Sequence, residues 1–483
     1  MANRSETAFV RGSMIAPSLP PVSERGAVKW MRENLFSSVF NTALTVLGLL
    51  AVYLIVQASL PWLLNGVWNA NSLGECRKIV EASAGEGAIG ACWAMLRERW
   101  HQFLFGFYPR ELYWRPVLAL GLLFVALAPI LYGDNRRGML RLIGTVSVLT
   151  VLALIGVDGS WLHILVLAAL LAVLLGLGAV AQGKLIWFTL LYPAIGFFLL
   201  WGGSVWGPVG TMFGFVILVA VYQALKSNFG VVVGTGAGFV MACIWWLAVQ
   251  TTVTTFLAGI FDTGLEAVDS DQFGGFLLSL TIGVTAIATA LPIGVMLALG
   301  RRSDMFLIKT LSVGFIEFVR GVPLITMLFT ASLLLQYFLP PQTNFDLILR
   351  VIILVTLFEA AYIAEVIRGG LAALPRGQFE AGDALGLDYW QAQRLIVMPQ
   401  ALKISIPGIV SSFIGLFKDT TLVAFVGLAD PLSGITRIVR ADINWKGIYW
   451  EPYLFVGAIF FIFCFGMSRY SMYLERKLQT DHH

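Results

Sequence analysis

Long apolar runs separated by shorter polar segments make up most of the chain. Several of these runs approach or exceed the ~20 residues with which an α-helix crosses ~30 Å of hydrocarbon. A closed β-barrel would instead show shorter segments in which apolar and polar residues alternate. The pattern therefore predicts an all-α, polytopic helical membrane protein with about 12 transmembrane helices. The predicted spans are 40–57, 116–132, 139–156, 161–181, 185–201, 207–225, 230–250, 274–299, 322–339, 347–367, 404–427 and 453–473.

Basic residues are concentrated in alternate loops between these spans. The positive-inside rule places such loops in the cytoplasm, and with an even number of spans it predicts that both termini lie there, on the inner side of a bacterial inner membrane. The external loop at 428–451 fits the rule less well because it contains Arg437, Arg440 and Lys446. The loops placed inside contain Arg136, Arg137, Arg141, Lys184, Lys226, Arg301 and Arg302, and the external loops without Lys or Arg are 157–160, 202–206, 251–275 and 340–346.

Composition agrees with a membrane protein and narrows the alternatives. Hydrophobic residues make up 58% of the 483 positions and charged residues 12%, about half the ~25% that is typical of soluble domains. The formal net charge of +4 is too small to indicate a nucleic-acid partner. Of the four cysteines, Cys76 and Cys92 share a long polar segment that is predicted to be external, where a disulfide between them is chemically permitted.

The same patterns divide the chain into four regions. Residues 1–35 form a cytoplasmic N-terminal tail, without the apolar core that would indicate a cleaved signal peptide. Residues 36–250 form an N-terminal extension of about seven transmembrane helices, with an external segment near 58–115. Residues 251–271 form an acidic external junction. Residues 272–478 contain nearly all of the patterned polar residues, so we expect the function to lie there.

A long polar stretch, residues 369–403, joins two spans on the predicted cytoplasmic side. Its apolar residues recur at helical spacing. Gly386 is expected to split the stretch into two short helices, and Pro399 is expected to end the second one. By itself the stretch is typical of an ordinary surface loop, whereas a compact helix–turn–helix would offer a soluble partner a rigid shape to bind.

The order of residues within this stretch resembles the EAA signature of ABC importer permeases. That signature is Glu-Ala-Ala, three residues, Gly, nine residues, Ile, any residue and Leu-Pro. Here Gly382 replaces the second Ala, and Met398 replaces the Leu, each by a residue of similar kind. The residues that match the signature are Glu380, Ala381, Gly386, Ile396 and Pro399.

In the ABC importer family, the two short helices dock into a cleft on a cytoplasmic ATPase subunit. The resemblance implies that ATP and Mg²⁺ are used by this partner and that the chain itself binds no cofactor. It also implies that the segment transmits ATP-driven closure to the membrane helices. The residues to which the resemblance assigns this ATPase-coupling role are Glu380, Ala381, Gly382, Leu385, Gly386 and Asp388.

Three further segments, 318–329, 361–387 and 418–428, resemble the polar amino-acid branch of these permeases, the histidine/glutamine type. The resemblance covers about residues 272–478 and implies a five-helix, MetI-like permease domain, with coupling helices near 369–403. With its long extension, the chain resembles the larger permease of general L-amino-acid importers. This implies three partners: cytoplasmic ATPase subunits, a second permease that is homologous or identical, and a periplasmic amino-acid-binding protein.

Two Glu-x-x-Arg-Gly units lie near predicted helix ends. In Glu317–Arg320 and in Glu365–Arg368, the two charged residues are three positions apart on one helix face, so they can pair. We favour salt bridges at the membrane interface over substrate contact for both units. They are nevertheless retained among the candidates because intramembrane charges often mark a transport path.

The segment from 304 to 339 is too long for one straight span at a rise of 1.5 Å per residue. Gly321 and Pro323 are expected to break it into an oblique segment and a span. Broken helices often line substrate paths, because the freed backbone groups need a polar cavity. The break is therefore a candidate part of the path.

Charged residues deeper in the predicted spans point more directly to function. Lys418 and Asp419 are expected about 20 Å into their span, and Glu359 near the middle of another. A charge in lipid costs ~2.5–3.5 kcal/mol or more, unless it has a partner or a watery cavity. A translocation path or dimer interface and a purely structural network explain these residues equally well. The candidates for the path or its gate are Glu317, Arg320, Glu359, Glu365, Lys418, Asp419, Thr420 and Thr421.

A zwitterionic amino acid as substrate would account for such charges. Its carboxylate needs a donor and its ammonium group needs an acceptor, and Lys418 with a carboxylate can supply both. Selection among amino acids would then be left to the external binding protein.

A secondary, ion-coupled amino-acid transporter is the main alternative, because many spans and buried charges also suit that class. It would need neither a split helix pair nor an ATPase. A membrane enzyme is less favoured, because no catalytic or metal-ligand constellation stands out in the sequence. Residues 178–185 nearly match a phosphate-binding P-loop, but Leu185 stands where Ser or Thr is required, so ATP is expected to bind to a different subunit.

Overall fold

The computed structural model describes residues 26–133, 135–157, 161–180, 182–261, 263–338 and 346–479. Most of the N-terminal tail predicted at 1–35 therefore lies outside the described residues. Contacts divide the chain into two compact units, Met1–Met95 and Leu96–His483.

The first unit contains the helices α1 (Gly26–Asn34), α2 (Val39–Leu64) and α3 (Leu73–Ala84). The 26 residues of α2 are almost all apolar, and at 1.5 Å per residue they reach about 39 Å, enough to cross a bilayer. Ser38 caps this helix, because its hydroxyl accepts a hydrogen bond from the Asn41 amide at 3.1 Å. Most side chains of α2 are exposed within the chain, as suits a helix in lipid.

A cross-linked segment follows α2 in the predicted external region. Cys76 on α3 and Cys92 in the following loop form a disulfide, with their Cα atoms 5.9 Å apart, and both residues are buried. The Val67 amide donates to the Ala91 carbonyl of this loop at 2.8 Å, and the Val67 carbonyl accepts from the Ala94 amide just after the loop at 3.1 Å. This part of the chain is therefore a small folded element.

The remaining helices of the extension follow, and from Leu96 onward their residues belong to the second unit. A two-residue antiparallel pair joins β1 (Gly203–Ser204) to β2 (Gly264–Leu265). The helices are α4 (Ala94–Phe105), α5 (Trp114–Leu131), α6 (Arg136–Gly156), α7 (Trp161–Val180), α8 (Leu185–Trp201), α9 (Trp206–Ile244) and α10 (Gln250–Ile260). Short 3₁₀ turns lie at Arg110–Leu112, Gln182–Lys184 and Ser270–Gln272, and a π-helical turn lies at Trp245–Val249.

The segment predicted as an external junction, residues 251–271, is helical in its first part, because α10 continues to Ile260. Within this helix the Thr254 hydroxyl donates to the Gln250 carbonyl at 2.9 Å, and this removes the cost of leaving the hydroxyl in an apolar environment.

Nine α-helices make up the described part of the MetI-like region: α11 (Gly275–Arg301), α12 (Phe306–Gly321), α13 (Leu324–Phe338), α14 (Leu347–Ala372), α15 (Gly377–Ala384), α16 (Tyr389–Ala392), α17 (Met398–Asp419), α18 (Pro431–Ala441) and α19 (Trp450–Gln479). A π-helical turn, Gln393–Val397, connects α16 to α17, and a 3₁₀ helix, Thr420–Val426, follows α17.

The helix break predicted at Gly321 and Pro323 is confirmed. α12 ends at Gly321, α13 begins at Leu324, and their axes differ by 101°. Proline lacks the N–H that would continue the helix, and it disfavours helical geometry in the residue before it. Val322 accordingly adopts an extended conformation, with φ −107° and ψ 131°.

The exact count of twelve spans is not confirmed. Within the described residues, nine helical segments are long and apolar enough to cross a membrane, or ten if α12 and α13 together form one broken span. The two remaining predicted spans correspond to the shorter helices α7 and α8. The 17 residues of α8 reach only about 26 Å, which is less than the ~30 Å of a typical hydrocarbon core.

Helices of the extension share one hydrophobic core with the MetI-like region. Trp201 stacks on Phe273, with ring centroids 4.5 Å apart, and Arg115 donates to the Glu266 carbonyl at 2.6 Å. The Tyr470 hydroxyl on α19 donates to the last carbonyl of α5 at 2.6 Å. The extension therefore supports the region in which the polar pattern predicts function.

A second core cluster joins α11, α14 and α17. It is rich in alanine, and glycine allows the closest approach between helices. A Cβ atom added at Gly370 of α14 would lie 2.6 Å from the Ala401 carbonyl oxygen of α17. Small residues let helix backbones approach closely in membranes, so α14 and α17 pack directly against each other.

Candidate coupling and translocation sites

The coupling segment, residues 373–397, follows α14 and is shaped by local signals. α15 ends at Ala384, and Gly386 adopts a φ of +70°, a conformation in which glycine has no Cβ to clash. Asp388 then caps α16: its carboxylate accepts from the Gln391 amide at 2.8 Å, and the Gln391 side chain accepts from the Asp388 N–H at 3.1 Å. The structure thus has a helix on each side of Gly386, as the sequence pattern predicts.

Close packing between α15 and α16 explains the departure from the signature at Gly382. This residue is buried, and a Cβ added there would lie 3.3 Å from the Ala392 Cβ, a tight contact even for alanine. The Gly382 carbonyl also accepts a hydrogen bond from the Leu387 amide at 3.2 Å, which closes the turn. The two short helices therefore form one rigid pair.

The outer surface of the coupling segment exposes large apolar side chains. Leu385 is 72% exposed and Trp390 is 69% exposed, although both are hydrophobic. Of the six residues assigned to coupling, Gly382 is buried and the other five are exposed. Apolar side chains grouped at an exposed tip and bordered by acidic residues are typical of a protein interaction site.

The prediction that Pro399 ends the second helix is wrong. One continuous helix runs from Tyr389 through the π-helical turn to Asp419. In an α-helix the proline ring would clash with the carbonyl of the residue four positions earlier. The wider π-helical turn immediately before Pro399 relieves this clash, so the helix continues into the membrane.

A cleft of about 380 Å³ lies between α15 and the membrane helices. The Arg302 guanidinium, beyond the end of α11, lies over the Phe379 ring of α15 at 5.2 Å. Such a cation–π contact is favourable and ties the coupling segment to the α11–α12 connection. The cleft is lined by Arg302, Leu371, Ala372, Leu374, Arg376, Phe379, Glu380 and Asp383.

An ion-pair cluster joins three helices on the same side of the membrane. Arg301 of α11 contacts Glu317 of α12 at 2.8 Å and Glu365 of α14 at 2.7 Å. Glu365 also pairs with Arg368 at 3.1 Å and with Arg320 at 3.4 Å. The pairing predicted within Glu365–Arg368 is confirmed, whereas Glu317 and Arg320 pair with different helices.

Glu359 lies six residues before Glu365 on α14 in a different environment. It is 3% exposed, and the neighbours of its carboxyl group are the Ser412 hydroxyl and Asp419, both on α17. Among the described residues, its Oε1 atom has no hydrogen-bond partner. A buried carboxyl oxygen without a partner costs free energy unless a ligand or water satisfies it.

The remaining path candidates lie where α17 changes into the 3₁₀ helix. Lys418 and Asp419 are exposed, Thr421 is half-buried and Thr420 is fully buried. The hydroxyls of Thr420 and Thr421 donate to the carbonyls of Phe417 and Lys418 at 2.7 and 2.9 Å. The structure therefore brings Glu359 close to Asp419. It places Glu317, Arg320 and Glu365 together in the separate ion-pair cluster.

The sequence patterns did not assign five side chains of these sites, namely Arg301, Arg302, Phe379, Trp390 and Ser412. For Arg301 and Arg302 they indicated only the side of the membrane. Arg301 meets Glu365 although 64 residues separate them in the chain. Such long-range contacts leave no periodic pattern. The position of two arginines at the end of a span was the one available signal.

Known proteins provide an independent comparison. Residues 290–480 match the family described as the binding-protein-dependent transport system inner membrane component. The chain is 61% identical over 478 residues to the glutamate/glutamine/aspartate/asparagine transport system permease protein BztC of Rhodobacter capsulatus, a match that covers 99% of this chain and 100% of that protein. It is 35% identical over 456 residues to the inner membrane amino-acid ABC transporter permease protein YhdY of Escherichia coli K12, with 94% of each covered.

A solved amino-acid ABC transporter structure with histidines is also similar. The sequence identity is 29%, the match covers 42% of this chain and 91% of the chain in that structure, and the TM-score is 0.37.

The apolar helices are those of a multi-pass membrane protein, and the full-length relatives that the chain matches are permease proteins and not enzymes. The chain belongs to the family of amino-acid ABC transporter permeases, as its full-length similarity to two of them shows. It is a permease subunit of an ATP-driven importer, and in such systems the ATPase is a separate subunit. The alternative of a secondary, ion-coupled transporter is therefore wrong.

Proposed function

We propose that this chain forms part of a translocation path for L-amino acids and that residues 373–397 connect the path to the ATPase. The observation that carries the proposal is the exposed apolar tip of the coupling segment, formed by Leu385 and Trp390 on a rigid helix pair. A soluble subunit that covers this tip would remove its apolar side chains from water, which is favourable.

The movement of that subunit would reach the membrane through two connections. α16 is continuous with α17, so a displacement of Trp390 is carried along one helix to Asp419. α17 also packs against α14 where Gly370 approaches Ala401. Because packed helices move as bodies and do not stretch, closure of the ATPase would shift Asp419 relative to Glu359.

The path itself would use the charges at the end of α17. A bound amino acid would place its ammonium group near Glu359 and Asp419, whose carboxylates are acceptors. Lys418 would donate to its carboxylate. The change from α to 3₁₀ geometry at Thr420 supports this site, because irregular helix at membrane depth is tolerated where it lines a polar cavity.

The preferred substrates are proposed to be L-glutamate, L-glutamine, L-aspartate and L-asparagine. Support comes from the relative that is 61% identical over its full length and is named for these four amino acids. The proposed assembly contains cytoplasmic ATPase subunits, which use ATP and Mg²⁺, a second permease that is homologous or identical, and a periplasmic binding protein.

The coupling segment and both termini would lie in the cytoplasm, and the chain would cross a bacterial inner membrane. Labelling of a single cysteine at the exposed position Ala381, in a chain without Cys243 and Cys464, tests this orientation. A membrane-impermeant thiol reagent should modify it in inverted vesicles and not in intact cells deprived of their outer membrane. The opposite result would overturn the orientation.

The coupling proposal is tested with the variant Leu385→Asp in the complete complex, reconstituted in liposomes with its binding protein. We expect loss of ATPase copurification and of ATP-dependent uptake of radiolabelled L-glutamate, because a charge at the tip would have to be buried in the interface. Unlabelled L-glutamine, L-aspartate and L-asparagine should compete with the uptake by the unmodified complex.

The matched control is Ile443→Asp, because Ile443 is also an exposed apolar residue, at 87%, and lies outside the coupling segment. This variant should retain the ATPase. Normal ATPase attachment and uptake in Leu385→Asp would contradict the coupling role. Failure of the three amino acids to compete would contradict only the proposed substrates.

A further inference from the structure

A polar pocket of about 540 Å³ opens at the end of α14 that is opposite the coupling segment. α14 has 26 residues, so its two ends are about 39 Å apart and lie on opposite sides of the membrane. In the proposed orientation this side is external. The outer pocket is defined by Asp271, Phe273, Asp346, Arg350, Gly427 and Arg437.

Three hydrogen-bonded elements hold the walls of the outer pocket in place. Asp346 caps α14, because its Oδ1 accepts from the Leu349 amide at 3.0 Å. Asp430 is fully buried and caps α18, which carries Arg437, by accepting from the Leu432 and Ser433 amides at 3.0 Å each. The loop that precedes Asp430 is fixed because its Ala429 carbonyl accepts a hydrogen bond from the Gly275 amide at 2.8 Å. The pocket is therefore preformed.

The nearby carboxyl group of Asp430 also favours the position of Arg437. Burial raises the pKa of the Asp430 carboxyl, and hydrogen bonds from Ser433 and Leu432 together with the nearby Arg437 guanidinium oppose this rise. The Arg437 Nη2 atom donates to the Gly427 carbonyl at 3.0 Å. A guanidinium has five N–H donors in a planar fork, so this bond leaves donors for a second acceptor.

The pocket walls carry the complement of an α-amino acid. Arg437 and Arg350 are cationic, and Asp271 and Asp346 are anionic. A guanidinium binds a carboxylate through charge-assisted hydrogen bonds, and a carboxylate accepts from an ammonium group. The volume of about 540 Å³ falls within the ~300–1,000 Å³ that is usual for small-molecule sites.

The outer pocket also connects to the proposed path along the chain. Gly427 in its wall directly follows the 3₁₀ helix Thr420–Val426, and that helix directly follows Asp419. Seven residues at about 2.0 Å per residue make a distance of about 14 Å between the two places.

We propose that the outer pocket is a first binding site for the α-amino acid, in which Arg437 holds the carboxylate and Asp271 holds the ammonium group before the substrate moves to Glu359 and Asp419. This inference rests on the proposed function as an amino-acid permease. The chain would then contain two substrate sites. The outer one would recognise the main-chain ammonium and carboxylate groups, which all L-amino acids share.

The test measures equilibrium binding to the assembled complex in nanodiscs, without binding protein and without ATP. The probe is radiolabelled L-glutamine, which carries both main-chain charges and no net charge. We expect saturable binding, and the part of it that belongs to the outer pocket should remain in Asp419→Asn, because that variant removes a contact of the deeper site only. The analogue 4-aminobutanamide, which lacks the carboxylate, should not compete.

Arg437→Gln should weaken this binding about tenfold or more, the factor that corresponds to about 1.4 kcal/mol, and Asp271→Asn should weaken it by a similar factor. Arg437→Lys should give an intermediate affinity, because it keeps the charge and loses the planar fork. The matched control is Arg440→Gln, on the same helix but outside the pocket lining, and it should bind as the unmodified complex does.

Equal affinity in Arg437→Gln and Arg440→Gln would overturn the proposal, as would complete loss of binding in Asp419→Asn. A third contrary result is that Arg437→Gln binds L-glutamine normally but no longer binds the periplasmic protein, which would make the pocket a protein contact. The coupling test is independent of these results. If the ATPase still copurifies with Arg437→Gln, the proposed permease function stands even when the pocket proposal fails.

Discussion

Two glutamates of α14 lie six residues apart and meet different surroundings. Glu365 contacts three arginines, Arg301, Arg320 and Arg368, at 2.7 to 3.4 Å, within a cluster that joins α11, α12 and α14. Glu359 is buried, with Ser412 and Asp419 as neighbours, and its Oε1 atom has no hydrogen-bond partner among the described residues. One carboxylate is neutralised by the chain itself, and the other is not.

This difference separates two uses of intramembrane charge. Pairing with several arginines offsets the cost of holding Glu365 away from water, so its contribution is to fix three helices relative to one another. At Glu359 the Ser412 hydroxyl offsets only part of the same cost, and among the described residues the Oε1 atom is left without a hydrogen-bond partner. A charge that a protein keeps at such a cost is expected to serve a ligand, whereas a neutralised charge is expected to serve the structure.

The largest effect is expected for Glu359→Gln. Uptake of L-glutamate should fall about 10- to 100-fold, because the substrate ammonium would lose a charged acceptor worth about 1.5–3 kcal/mol. The yield of folded complex should be maintained, since a neutral amide is less costly to bury than a carboxylate. Proteoliposome uptake normalised to folded complex measures this. A proportional loss of uptake and folded complex would instead assign Glu359 to a structural network.

A second substitution tests whether the close contact of α14 with α17 is needed. In Gly370→Ala, the new Cβ would meet the Ala401 carbonyl oxygen at 2.6 Å, so the helices must separate. We expect a loss of about 1–3 kcal/mol in stability, measured by thermal unfolding of the detergent-solubilised complex. The matched control is Gly369→Ala, where the added Cβ meets nothing within 4 Å. Equal stability of the two variants would contradict this account of the packing.

The smallest effect is expected for Glu365→Gln, which completes the comparison. Its side chain is 14% exposed, and the variant should lose about 1–2 kcal/mol of stability because three arginines lose their shared partner. Uptake per folded complex should remain within about twofold of the unmodified value. If uptake fell as far as in Glu359→Gln while stability stayed unchanged, the distinction between the two glutamates would be lost.

Sequence patterns predicted the parts of the fold that depend on local order. Apolar runs located the membrane helices, and the break at Gly321 and Pro323 followed from the conformational limits of proline. Gly386 between two short helices was predictable because glycine, which has no Cβ, adopts a positive φ at low cost and interrupts a helical pattern. The continuation of helix through Pro399 was not, because it depends on a π-helical turn for which no sequence rule is available.

The candidate sites were less predictable because they are built from distant segments. Pairing within Glu365–Arg368 follows from helix periodicity, whereas Arg301 reaches Glu365 only through tertiary packing. The outer pocket combines residues near positions 271, 346 and 437. Its one trace in the sequence was an exception: Arg437 lies in a predicted external loop, where the positive-inside rule does not favour arginine.

The continuous helix from Tyr389 to Asp419 has a consequence for how this family of chains can change. Each residue added to an α-helix turns everything beyond it by about 100°, since one turn contains 3.6 residues. A one-residue insertion between Trp390 and Lys418 would therefore turn Asp419 by about 100° relative to Trp390 and change its orientation toward Glu359 of α14, even if every other residue were kept. The length of this helix is therefore tied to the position of Asp419.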